Sequence, residues 1–249
     1  MKLTFQRAQL RRLPPRIAFT MAMAATFASP SLAGDTAELH ILGFSNDGRI
    51  FAFEEYGVQD GSGFPYANRF YIDTATDSYI SGSPIRVRLD DETKNVDAAR
   101  REARERGEKI IAQSELDANP GFTAAFNPVT ELSADPDRLE AYPRPYFPPI
   151  DPALEFRLET FPVTEGKDRC YDLAELKGFT LTLVEAGETK VLHQDVTVPK
   201  SRGCATGYRL GGLQTFGPDG FSTYAVIISV QQLGFEGPDY RWMAVTGRR

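Results

Sequence analysis

Two cysteines and two histidines limit the chemistry open to this chain of 249 residues. Cys170 and Cys204 stand alone, in no Cys-x-x-Cys or His-x-x-x-His spacing that would mark a metal site. An even count outside a reducing compartment reads instead as a disulfide, closing a loop of about 35 residues. His40 and His193 fall in strand-like runs and read as surface or hairpin residues rather than general bases. No Gly-x-Ser-x-Gly elbow, Gly-x-Gly-x-x-Gly loop or phosphate loop is present, so the sequence implies no metal and no cofactor.

Carboxylates are the remaining catalytic candidates, since a pair of acids can flank and cleave a glycosidic bond. Asp47, Asp60 and Glu54 are the ones singled out. Glu54 and Glu55 cannot act together, because neighbours on a strand point to opposite faces. Gly43-Phe-Ser-Asn-Asp-Gly48 matches a calcium loop only at its Asp-Gly end, and Gly43 brings no side-chain oxygen to the first ligand position.

The start of the chain reads as an address. Lys2, Arg7, Arg11, Arg12 and Arg16 come before any acid, and an apolar run from Ile17 to Ala28 follows. Small residues then lead to a cut between Ala33 and Gly34, the order of a secretory signal peptide. The apolar run, about 12 residues, falls short of the roughly 20 that a membrane-spanning helix needs. Without residues 1–33, 28 Lys+Arg fall to 23 against 34 Asp+Glu, so the exported part carries −11. That balance argues against nucleic acid and anionic lipid as partners. No later stretch is apolar enough to insert into a membrane. The expected location is periplasmic or secreted, with a disulfide allowed.

Most of the remaining chain reads as antiparallel strand. Ala37–Gly43, Arg49–Tyr56, Asn68–Asp73 and Ser78–Ile80 form a meander over 34–92, with turns at Ser45–Gly48 and Asp60–Gly63. Residues 93–116 are rich in helix formers, with a narrow stripe of Val96, Ala99, Ala103 and Ile110. Arg100, Arg101, Arg104 and Arg106 share that helix with Glu102, Glu105 and Glu108, the mark of a solvated charged face. Eight of the 17 prolines fall between Pro128 and Pro162. Residues 117–153 are therefore expected to be an extended connector that packs its aromatics over the surface. Strands return over 154–249: Leu154–Phe161, Gly178–Val184, Lys190–Val198, Tyr208–Leu210, Thr223–Val230 and Tyr240–Val245. The fold expected is mainly β: a blade-like meander, one charged helix, and a second antiparallel β section that holds the disulfide.

Phe44-Ser-Asn-Asp-Gly-Arg-Ile-Phe-Ala-Phe53 resembles the repeat of TolB-like β-propellers and covers one blade, about residues 40–82. Looser echoes start at Phe216 and Phe235, too closely spaced for separate blades. A wider likeness covers nearly all of the exported part. The stretch from Leu42 to Ala67 and the ending Gly234–Gly247 resemble a family of bacterial predicted secreted proteins of unknown function, domain of unknown function 2259. That resemblance implies export and brings no catalytic residues with it. The function expected is an exported binding or interaction module of the periplasm, taking an envelope protein or a small ligand. Phe64, Tyr66 and Trp242 are the candidate contact residues. The alternative is a cell-envelope hydrolase using the acids above.

Overall fold

Alternation along each strand decides which core it serves. On β2 (Ile50–Val58), Phe51 and Phe53 face one way while Ala52 faces the other, and β3 (Pro65–Asp73) divides Phe70 and Ile72 from Ala67 and Tyr71 in the same manner. With β1 (Glu38–Phe44), β4 (Ser78–Tyr79) and β5 (Ile85–Arg88) these strands make sheet 1, in the order β1-β2-β3-β4, while β5 pairs with the other half of β3. A computed structural model describes residues 34–217 and 221–249. The leader assigned to 1–33, with Ala33 at its cut, lies outside the described residues.

The expected helical stretch divides in two. In α1 (Val96–Gly107), Asn95 caps the start by accepting the Ala98 N–H at 3.0 Å, and Ala99 and Ala103 are fully buried. The helix ends where Gly107 meets Tyr71: a Cβ there would lie 2.0 Å from the phenol oxygen, so only glycine allows this approach. Ile110 and Ile111 then turn back onto the same core, and α2 (Gln113–Ala118) follows.

The proline-rich stretch is also ordered. It supplies β6 (Phe122–Phe126), which pairs with β11 (Ala205–Phe216), and β7 (Arg138–Ala141), which pairs with β8 (Leu154–Pro162). Its aromatics do not pack down as expected: Phe147 is 99% exposed, and Tyr142 and Tyr146 are also exposed. Prolines at 143, 145, 148 and 149 stiffen this loop, and Arg144 grips Asp151 across it, so order is reached without burying the rings.

Sheet 2 runs β10 (Glu188–Gln194), β9 (Lys177–Glu185), β8, β7, and sheet 3 runs β13 (Asp239–Arg248), β12 (Thr223–Gln232), β11, β6. Sheet 3 is the middle layer. From β12, Tyr224, Val226, Ile228 and Val230 pack against sheet 2, while Ala225 and Ile227 pack against Phe51, Phe53 and Phe70 of sheet 1. A strand buried on both faces must be apolar almost throughout, which explains Thr223-Tyr-Ala-Val-Ile-Ile-Ser-Val230. The helices cover the far face of sheet 1. The protein is thus mainly β, with antiparallel sheets stacked face to face. The initial meander runs β1-β2-β3-β4 in order, with β5 added on β3, as one sheet of the stack. Phe44 and Phe216, which open two of the echoed segments, stack with ring centres 5.0 Å apart.

The cysteines meet as a Cys170–Cys204 disulfide, with both residues buried. It ties the 3-10 turn at 167–170 to the start of β11, beside a second turn at 200–202.

Candidate functional site

Sheet 1 changes character along its face toward sheet 3. Phenylalanines fill the middle, and then Glu55, Asn68 and Arg86 form one polar row, since Glu55 is opposite Asn68 and Asn68 is opposite Arg86. The next row brings Tyr66 opposite Arg88. The cause lies across the interface. β13 is the edge strand of sheet 3, so its outward N–H groups need acceptors. Trp242 N–H donates to Glu55 Oε2 at 2.7 Å, Thr246 N–H donates to Asp77 Oδ1 at 2.7 Å, and Tyr240 N–H donates to the Asp35 carbonyl at 2.9 Å. Asn68 Nδ2 donates to Glu55 Oε1 at 2.9 Å. Burial pushes the Glu55 carboxyl up, against the lowering effect of these two donors and of the Arg241 and Arg86 charges.

Two adjoining cavities open along this row, with Asn68, Arg86 and Arg241 lining both. The outer cavity, about 400 Å³, also touches Tyr66, Gln59 and Arg88. The inner one, about 300 Å³, is floored by Glu55 and walled by Phe70, Tyr79 and Trp242 on one side and Pro199, Ser201 and Arg202 on the other. Such volumes suit a small organic ligand.

Three of the four arginines here are already neutralised. Arg241 Nη2 reaches Asp35 Oδ2 at 2.6 Å and lies over the Tyr66 ring, whose hydroxyl donates to the same aspartate at 3.0 Å. Arg202 Nη1 reaches Asp195 Oδ2 at 2.7 Å and lies over the Phe179 ring. His193 Nε2 stands 3.0 Å from the other Asp195 oxygen. Arg88 pairs with Asp90 at the surface and lies over the Phe64 ring. The Arg86 guanidinium makes no hydrogen bond or ion pair with any described residue, and its charge is felt by Glu55 and Tyr79.

The candidate contact residues separate accordingly. Tyr66 lines the outer cavity and Trp242 the inner one, both largely buried, with the indole N–H donating to the Ala37 carbonyl at 2.7 Å. Phe64 is half-buried beneath Arg88 at the rim. Asn68, Arg86, Arg202 and Arg241 are not singled out by the sequence, and Glu55 enters there only as the oppositely directed neighbour of Glu54. The alternation Ile85-Arg-Val-Arg88 could have flagged Arg86 as one face of a strand, but nothing local links it to position 202 or 241.

The acids considered for hydrolysis do not converge. Asp47 sits in the turn before β2, bound to the Ser45 hydroxyl and the Arg49 N–H, and Asp60 lies beyond the other end of β2. Nine strand residues span about 30 Å, far beyond the separation at which two carboxyls can share a bond. Glu54 and Glu55 do point to opposite faces. Glu54 is wholly buried under the helices, where Arg69 Nε donates to it at 3.1 Å and Arg100 Nε at 2.9 Å. His40 Nδ1 lies 3.7 Å from it. Burial works against this carboxyl's charge, but the His40 contact and the Arg69 and Arg100 charges outweigh it and hold the group below the usual range. No cluster of three or more metal-ligating side chains occurs among the described residues, and no helix there is long and apolar enough to cross a membrane.

The family model described as predicted secreted protein (DUF2259) matches residues 52–248, and the chain belongs to that family. The match takes in sheets 2 and 3, sheet 1 without β1 and the first two residues of β2, and every residue that lines the two cavities. It supports an exported protein, periplasmic or secreted. No curated protein and no solved structure matches the chain.

Proposed function

We propose that this exported protein is a binding module of the periplasm, and that the cleft between sheets 1 and 3 takes a small organic anion. Arg86 carries the reading: a guanidinium with no counter-ion among the described residues stands at the junction of two cavities, in a chain that is otherwise acidic. Arg241 and Arg202 line the same space, each already paired with its own aspartate, which leaves Arg86 as the unneutralised charge. Asn68 and Ser201 offer neutral hydrogen bonds, and Phe70, Tyr79 and Trp242 offer apolar walls. The lining is more polar than apolar, which favours a charged ligand over a purely apolar one. Tyr66 and Trp242 contribute as walls held by hydrogen bonds, and Phe64 supports Arg88 at the entrance.

Isothermal titration of residues 34–249 with short aliphatic and aromatic carboxylates tests the reading. Saturable heat that disappears in Arg86→Ala, with the unfolding midpoint unchanged, is the expected result. Equal affinity in wild type and Arg86→Ala would refute it.

A further inference from the structure

Glu55 and Glu54, adjacent in sequence, meet opposite electrostatic fates. Glu54 is buried between two arginines. Glu55 is equally sequestered, at 4% exposure, yet its hydrogen bonds come only from neutral donors, the Asn68 amide and the Trp242 N–H. Arg86 and Arg241 act on it at a distance, without forming an ion pair. A buried carboxylate lacking a cationic partner is costly, and each of its oxygens retains a lone pair after these two bonds. Glu55 lines the inner cavity, so a cationic group of a ligand can reach it from solvent.

The opposite charge faces the same space. Arg86 lies two strands across from Glu55 in one row, so their Cα atoms are about 10 Å apart, with Asn68 between. The side chains extend into the cavity without closing on each other. A ligand with a cation at one end and an anion close by would bridge the two groups, each end held by a charge-assisted hydrogen bond of about 2.8 Å. We infer that the inner cavity binds a free α-amino acid with an apolar or aromatic side chain, its carboxylate on Arg86, its ammonium on Glu55 and its side chain against Phe70, Tyr79 and Trp242. The inference rests on the anion-binding reading of the cleft and narrows it to a zwitterion.

The test compares three ligands on the wild-type protein by isothermal titration: phenylalanine, 3-phenylpropionate, which lacks the ammonium, and phenethylamine, which lacks the carboxylate. Phenylalanine is expected to bind about tenfold or more tighter than either, the effect of one hydrogen bond between charged groups. In Glu55→Gln the preference for phenylalanine over 3-phenylpropionate should collapse. The wild-type comparison decides the matter even if that variant does not fold. Equal binding of phenylalanine and 3-phenylpropionate would overturn the zwitterion and leave the anion site standing. A folded Glu55→Gln variant that keeps the preference would also overturn the assignment of the ammonium. If neither these nor other carboxylates bind, both readings fail.

Discussion

Replacing Glu54 by Gln removes the anion from the most deeply buried ion pair among the described residues. The Arg69 side chain is 6% exposed, and without Glu54 it keeps the hydrogen bond from Nη1 to Gln113 Oε1 at 2.7 Å and the Tyr71 hydroxyl as neutral partners. Removing one partner of a buried pair costs about 3–5 kcal/mol, because the other charge stays desolvated. The Arg100 side chain is 29% exposed and lies 3.9 Å from the Tyr56 ring centre, so it retains water and a cation–π contact and adds about 1 kcal/mol or less. Gln113 softens the loss at Arg69. The expected cost is therefore near the lower end, about 3 kcal/mol. Urea denaturation of residues 34–249 would read it as a lower midpoint with an unchanged slope. The double variant Glu54→Leu/Arg69→Met should recover at least half of the loss, since the attraction in a buried pair is largely spent on its own desolvation. A loss below about 1 kcal/mol in Glu54→Gln, or a double variant showing the full sum of the two single losses, would refute the reasoning.

The same pair sets an acid limit. Glu54 titrates below its unfolded value, so its stabilisation is present above about pH 4.5 and is lost as pH falls through the native value. Asp195 adds to this with the same sign, its burial outweighed by His193 and Arg202. The urea midpoint should fall on acidification below about pH 4, and less steeply in Glu54→Gln. Reducing the Cys170–Cys204 disulfide, or replacing both cysteines by Ser, should cost about 4 kcal/mol, seen as a fall in Tm, and should loosen the 199–202 wall of the cleft. Gly43→Ala should lose about 2 kcal/mol or more by urea denaturation: φ is +123°, and a Cβ there would lie 2.4 Å from the Leu116 carbonyl oxygen, which cannot move without unseating α2.

Part of this fold is written locally. The turns at 45–48 and 186–189, the period-two runs around them and the proline stiffness of 142–149 depend only on near neighbours. Glycines and polar residues blur the alternation of β11, which runs from Ala205 to Phe216 where the sequence marks only Tyr208–Leu210, and β5, β6 and β7 are only four or five residues each, too short to stand out. Their stability comes from partners far along the chain, such as Ala125 opposite Leu213. Propensity says nothing about those partners.

The sequence by itself determined the basic-then-apolar order of residues 1–33, the even cysteine count, the mainly β character and the opposed directions of Glu54 and Glu55, because charge order, counting and strand period need no partner. Only the tertiary structure decided what those directions meet. Stacking three sheets placed the open edge of β13 over Glu55 and brought Arg202 and Arg241 beside Arg86. The electrostatic character of a carboxylate is set by the groups packed around it in space. For Glu55 those groups lie as far as 187 residues away.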